Sequence, residues 1–333
     1  LALPGRDLIE VEVRPVSPFR LPRWNGSDRI VRRHGNGLRR LLVVDQAPVV
    51  VAARPAAGGT YRFSAIPVEP ERLTGPGREG LALADENRVA AAIDQFRFSL
   101  GIDVDMGPFH DAFIDDPLLG PAIRRRIHTR SPRRADSWEA LAWAVTEQLI
   151  EYRRAAAIQR RMIRRWGLSL KLPASASCVD GYLSTAPSPE AIAGASPAEL
   201  QSCDLSAGRS LALIRCAKEI ACGRVDPGSS EGDRRLLAIP GIGPWTIACL
   251  ALRGRGEPDA LLAGDLGHIK LVGALAGLGR PAEIEEVESF YARYEPFRGI
   301  AGDFLLAHRG AEVSGPGNRA RIRASVWHRP RAA

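Results

Sequence analysis

Aromatic side chains are scarce in this chain. Phe, Trp and Tyr together make up 6% of its 333 residues, so each one is a marker worth placing. Cysteine is scarcer still. The five present (Cys178, Cys203, Cys216, Cys222 and Cys249) include no C-x-x-C pair, which argues against a zinc framework or a disulfide scaffold. They read as reduced thiols used as small core residues. Long hydrophobic runs are missing too. The longest, Leu41 to Ala53, is interrupted by Asp45 and Gln46, whereas a membrane-spanning helix needs about 20 apolar residues. The opening residues Leu1-Ala2-Leu3-Pro4-Gly5-Arg6-Asp7 lack the basic start and apolar centre of a secretory signal, so a cytoplasmic location is expected.

What is present in excess is positive charge. Lys and Arg number 46 against 38 Asp and Glu, a formal net charge of +8. That balance suits a polyanionic partner. The charge is clustered at Arg124, Arg125, Arg126, Arg130, Arg133 and Arg134, again at Arg153, Arg154, Arg160, Arg161, Arg164 and Arg165, and finally at Arg319, Arg321, Arg323, Arg329 and Arg331. Otherwise the composition is that of a soluble globular protein, long enough for two or three domains.

Hydrophobic patterning divides the chain. Ile9 to Val13 and Thr60 to Ile66 alternate as half-buried strands do, and two valine-rich runs flank the turn Asp45-Gln46-Ala47-Pro48. The segment Thr74 to Gly80 breaks this pattern and predicts a domain boundary. Helical spacing follows from Asp85 to Leu100. Asp136-Ser137-Trp138-Glu139 resembles a capping box, opening a helix with Trp138, Leu141, Val145, Leu149 and Tyr152 on one face. Further helices are predicted over 196–201, 207–222, 232–239, 244–253, 284–294 and 299–308. Pro244 suits a first turn and Gly254 a stop. The fold class is therefore α+β. The expected division is a sheet domain over 1–80, one helical unit over 81–135 and 257–310, a second over 136–256, and a basic tail over 311–333.

The most informative segment is Ile239-Pro240-Gly241-Ile242-Gly243-Pro244-Trp245-Thr246, set between two short helices. Glycines permit a tight hairpin and a close ligand. The N–H groups opening the second helix would bind a phosphate, which positions DNA without reading its sequence. An acid, Asp265, follows Gly243 by 22 residues, in Ala263-Gly264-Asp265-Leu266-Gly267-His268.

Hairpin plus aspartate resembles the helix-hairpin-helix DNA glycosylase superfamily, within it the 3-methyladenine DNA glycosylase II branch. Ala251-Leu252-Arg253-Gly254 matches the family's ending of the second hairpin helix, and Tyr294-Glu295-Pro296-Phe297-Arg298 a late family segment. The likeness runs from Ile9 to His308. It implies an N-terminal antiparallel β-sheet domain followed by a mainly α-helical body. It implies Asp265 as the catalytic carboxylate. Pro240, Gly241, Ile242, Gly243, Pro244 and Thr246 become the phosphate-binding hairpin, and Gln148-Leu149 the pair from which a wedge enters the DNA stack. Trp245, Phe19, Cys249 and Leu306 become base-pocket candidates. Family members carry a Tyr where Cys249 stands and an aromatic near Leu306, so this pocket is the less aromatic one.

A base inside a duplex must be flipped out before it can be cut away. The departing base leaves an oxocarbenium-like sugar, which a carboxylate stabilises; such a carboxylate must be ionised and so not deeply desolvated. Asp265 is also a good helix N-cap, and the two roles can coexist. Bifunctional relatives carry a lysine nucleophile where Trp245 stands, so the resemblance implies attack by water and no strand nicking. No cysteine follows Asp265, so the iron–sulfur cluster of the endonuclease III branch is not expected, nor is a metal; a monovalent cation on the hairpin carbonyls is compatible with the family. The expected partner is double-stranded damaged DNA, bound by a monomer. Two alternatives stay open: a glycosylase for deaminated or oxidised bases, and a non-catalytic helix-hairpin-helix DNA-binding protein.

Overall fold

The computed structural model describes residues 8–22, 27–172 and 181–313, with side chains up to residue 309. Cys178 and the arginines from Arg319 onward lie outside the described residues. Five antiparallel strands form the main sheet: β1 (Ile9–Val13), β2 (Arg32–His34), β3 (Gly37–Val44), β4 (Ala47–Pro55) and β5 (Tyr61–Pro67), in the order β1-β5-β4-β3-β2. Leu41 stands opposite Val50, and Val51 opposite Ala65. One face, carrying Leu38, Leu42, Val49, Val51, Phe63 and Ala65, packs on α1 (Glu86–Leu100). The other carries Leu41 and Val50 onto a smaller sheet of β6 (Leu73–Thr74), β7 (Ser169–Lys171) and β8 (Tyr182–Ser184). Being covered on both sides, β3 and β4 read as apolar runs and not as alternation.

Two expectations change here. Helix α1 completes the core of the sheet and does not join the helical unit expected over 81–135 and 257–310. Strands β7 and β8, only three residues each, carry no sequence signal and return the chain to the sheet side.

The remaining helices build two cores. α4 (Ser137–Glu147), α5 (Tyr152–Trp166), α6 (Pro189–Ala193), α7 (Pro197–Ser202), α8 (Ala207–Ala221) and α9 (Asp233–Leu237) enclose the first. α2 (Gly107–Phe113) and α3 (Gly120–Arg126) meet α11 (Leu266–Leu275), α12 (Ile284–Tyr291) and α13 (Arg298–Val313) in the second. Between them lies α10 (Pro244–Cys249), at a seam where Ala144, Cys249, Leu252 and Leu262 cluster.

Asp136 does cap α4, accepting from the Glu139 amide at 2.7 Å. The reciprocal half of the capping box is absent: the Glu139 carboxylate is buried against Arg40 of β3. The predicted stop at Gly254 also shifts. α10 continues as a π-helical turn, Leu250–Arg255, and ends at Gly256 with φ 75°. Gly254 instead allows close approach to α4, since a Cβ there would lie 2.9 Å from the Ala140 Cβ and 3.1 Å from the Ser137 Cα.

Much of the clustered arginine is taken up by partners within the chain. Arg130 donates to the carbonyls of Gly101 and Pro18, Arg133 to Gly256, and Arg126 to Ala307. Arg134 pairs with Asp28 at 2.6 Å, Arg154 with Asp204 and Arg165 with Glu199. These runs thus leave fewer arginines free for a polyanionic partner than their number in the sequence suggests. No helix among the described residues is long and apolar enough to cross a membrane.

Candidate functional site

The hairpin turns between α9 and α10. Ile239 and Ile242 anchor it in the first helical core. Gly241 adopts φ 92°, in the region glycine favours, and a Cβ there would lie 3.3 Å from Ala212. Pro240, Gly241 and Pro244 are exposed. The Thr246 amide returns to the Gly243 carbonyl at 3.0 Å. Pro244 has no N–H, so the outward donors at this helix start are those of Gly243 and Trp245. The carbonyls of Ile239 and Gly241 each already accept one hydrogen bond, which leaves each one lone pair that a monovalent cation could share, whereas the Gly243 carbonyl accepts from both the Thr246 and Ile247 amides.

Gln148 joins this hairpin to the end of α4. Its Nε2 donates to the Gly241 carbonyl at 2.8 Å and to the Thr246 hydroxyl at 2.9 Å. Leu149 follows, 89% exposed and with φ 54°. The expected single helix with Trp138 to Tyr152 on one face therefore breaks: α4 stops at Glu147 and α5 starts at Tyr152. Leu149 is not part of the apolar face assigned to it by spacing. Holding a leucine in the left-handed region costs about 1 kcal/mol or more. Arg209 helps hold the turn, donating to the carbonyls of Thr146 and Gln148 at 3.0 and 3.4 Å. Sequence reasoning missed Arg209; as one arginine on α8 it offers no signal.

Asp265 caps α11, and its Oδ1 accepts from the Gly267 amide at 2.7 Å. It is half-buried. A Cβ on the preceding Gly264 would lie 3.8 Å from the Cβ of Trp245, so α10 runs directly beside the aspartate. A Cβ on Gly267 would lie 2.9 Å from Asp265 Oδ1 and 3.1 Å from Leu306 Cδ2. Trp245 and Leu306 thus flank the segment bearing Asp265. The Trp245 Nε1 is buried without a hydrogen-bond partner.

The other two pocket candidates are placed elsewhere. Cys249 is 3% exposed and packs with Ala144, Leu252 and Leu262; burial pushes its thiol up, so it stays protonated. Phe19 belongs to the core of sheet and α1, edge-on to Tyr61 with ring centroids 5.1 Å apart. Neither offers much surface to a ligand. Cys249 was put forward from a linear match and Phe19 as an available aromatic of the sheet domain, and neither basis registers how deeply a side chain is packed. Among the described residues no group of three His, Cys, Asp or Glu is arranged to hold a metal ion.

No family model matches the chain. A Mycobacterium tuberculosis protein named "Probable bifunctional transcriptional activator/DNA repair enzyme AlkA" is 30% identical over 227 residues, covering 68% of this chain and 44% of its own length. The chain therefore spans under half of that relative. A Bacillus subtilis "DNA-3-methyladenine glycosylase" is 25% identical over 210 residues, or 61% of this chain and 67% of that one. In fold, the structure of a 3-methyladenine DNA glycosylase from Archaeoglobus fulgidus superposes with a TM-score of 0.72 at 19% identity, covering 91% of this chain and 99% of that one.

Proposed function

The chain is a member of the helix-hairpin-helix DNA glycosylase superfamily, on its 3-methyladenine glycosylase II side, and from that premise we propose that it is a monofunctional DNA glycosylase of base excision repair. It flips an alkylated purine out of double-stranded DNA and hydrolyses the N-glycosidic bond with water. One observation carries this reading: grip, wedge and carboxylate adjoin. Gln148 bonds the hairpin at Gly241 and Thr246 and holds Leu149 out into solvent, while Trp245 of that hairpin lies against the residue preceding Asp265.

The hairpin amides hold a backbone phosphate and fix the register of the duplex. Leu149 enters the stack where the damaged nucleotide leaves. Its left-handed backbone and the bonds around it pre-set its direction, so little ordering remains to be done on binding. Asp265 then faces the sugar with the carboxylate oxygen not committed to Gly267, and stabilises positive charge as the base departs. The balance is simple: the C1′–N bond breaks with its electron pair going to the base, so a positively charged alkylated purine leaves neutral, while water adds its hydroxide to C1′ and gives its proton to solvent. We propose that no iron–sulfur cluster or metal takes part, and that the protein works as a cytoplasmic monomer.

The test is a panel of single-lesion duplexes, heated in alkali to cut at abasic sites. Cleavage at 3-methyladenine or 7-methylguanine supports the reading; no cleavage on any lesion overturns it. The pocket speaks for a broader panel. With Phe19 and Cys249 packed inside, Trp245 is the aromatic wall that remains among the candidates, so cation–π selection of charged purines is weaker than a fully aromatic pocket would give. Cleavage confined to deaminated or oxidised bases would favour the alternative glycosylase.

Two further results are expected. Borohydride treatment during turnover should trap no protein–DNA adduct, because Trp245 offers no amine to form a Schiff base; a trapped adduct would contradict water attack. Leu149→Ala should slow base release about tenfold while initial DNA affinity changes less than about threefold, since a wedge acts after encounter. Equal losses in both, measured by single-turnover rates and fluorescence anisotropy, would remove the wedge.

A further inference from the structure

His268 has no part in the chemistry above, yet it stands one turn into α11, three residues after Asp265, and is 1% exposed. Its Nδ1 is 3.0 Å from the Tyr291 hydroxyl of α12, and the two rings meet edge to face. Tyr291 is itself fully enclosed. From a third side α13 presses its backbone on the imidazole: a Cβ on Gly302 would come within 2.7 Å of Cε1 and 3.2 Å of Nε2. One ring thus fixes α11 against both neighbouring helices. An apolar side chain could fill such a space without a partner, whereas a buried polar ring is unfavourable unless hydrogen-bonded. The hydrogen bond to Tyr291 is therefore specific and directional, and it sits in the same helical turn as the amide that holds Asp265.

We propose that His268 is a positioning residue for Asp265, acting through its hydrogen bond to Tyr291 and its contact with Gly302. The proposal rests on the glycosylase reading of the site. The charged and titratable groups facing His268 are Asp265 from its own helix, Tyr291 from α12, Asp303 from α13 and Arg253 from the π-helical turn. Burial lowers the imidazole pKa, against the pull of the two aspartates, and burial raises that of the Tyr291 phenol. Both rings are therefore neutral near pH 7. In the tautomer we assign, the ring proton is on Nε2 and the phenol donates to Nδ1. Through this lock the first turn of α11 cannot rotate, and the Gly267 amide stays aimed at Asp265 Oδ1.

The test compares His268→Leu, His268→Gln and Tyr291→Phe with the unaltered chain in single-turnover base release at saturating protein. His268→Leu and Tyr291→Phe should each lower the release rate about tenfold, because small misplacements of a catalytic group are expensive in rate. DNA affinity should stay within about twofold. His268→Gln, whose amide oxygen can accept from Tyr291, should recover most of the rate. The double variant that combines His268→Leu with Tyr291→Phe should be no slower than either single one. Amide hydrogen exchange at Gly267 should accelerate in His268→Leu. An unchanged rate in folded His268→Leu, or additive losses in the double variant, would overturn the proposal. If His268→Leu does not fold, Tyr291→Phe decides, since it removes one oxygen only. If the unaltered chain releases no base, the glycosylase reading fails by itself. Exchange at Gly267 then decides the positioning role, with unchanged protection against it.

Discussion

Asp265→Asn is expected to lower base release by about 10²–10³-fold, the usual worth of one well-placed electrostatic group in a transition state. The substitution is chosen for what it keeps. Asparagine is as good an N-cap as aspartate, so its side-chain oxygen can still accept from the Gly267 amide that Asp265 Oδ1 now holds at 2.7 Å. Helix α11 and the seam beside Trp245 should therefore survive, and so should the hairpin, which belongs to the first helical core. Only the negative charge is lost. Duplex affinity should remain within about twofold, because phosphate contacts dominate binding of this kind. Alkali-labile sites on methylated DNA measure the first quantity and fluorescence anisotropy the second. Base release at the unaltered rate would leave a DNA-binding protein without the assigned chemistry.

Arg40→Ala is expected to destabilise the fold by about 3–5 kcal/mol, the usual penalty for stranding one partner of a buried ion pair. Arg40 and Glu139 are both buried, and their contact ties β3 to α4. Arg134 lies 3.5 Å from the same Glu139 and 2.6 Å from Asp28, which also accepts from the Trp143 indole at 3.1 Å. The paired replacement Arg40→Met with Glu139→Leu should recover much of the loss, since it removes both charges together. Urea unfolding midpoints would measure both. Equal stability of Arg40→Ala and the unaltered chain would mean that the pair contributes nothing. The same network sets a response to acid. Burial raises the Asp28 carboxyl, but Arg134, the Ile30 amide and Arg40 together hold it below its ordinary value. Its contribution to stability is thus complete above the unfolded value near 4 and falls away as pH drops through the lowered one.

The sequence made the chemistry-bearing loop legible because that loop depends on local signals. Pro-Gly-Ile-Gly-Pro can form few structures besides a hairpin, and Asp85, Asp136 and Asp265 all cap the helices expected of them. The four long strand runs were visible as valine-rich or alternating segments. Leu149 was not legible in the same way. Its spacing from Val145 continues a helical stripe, and nothing in the residue types announces a leucine with φ 54°. That conformation is imposed from outside, by Gln148 on the hairpin and by Arg209 from α8. The partners of the arginine runs were hidden for a related reason: a guanidinium that reaches a carbonyl across the fold looks, in sequence, like one that faces a polyanion. Arg130 finds its acceptors 29 and 112 residues away. The pocket residues failed on depth, since a linear match places Cys249 on the right helix and gives no measure of the seam that encloses it.

That Asp265 heads a helix ten residues long has an effect beyond orientation. Aligned peptide dipoles leave the start of such a helix with roughly half a positive charge, spread over several amides. An anion seated there is balanced by the backbone itself, and the partner described for it is an amide, not a cationic side chain. A discrete counter-ion would draw most of the carboxylate's field onto itself. A diffuse one behind it leaves that field directed forward, into the space where a sugar cation would form.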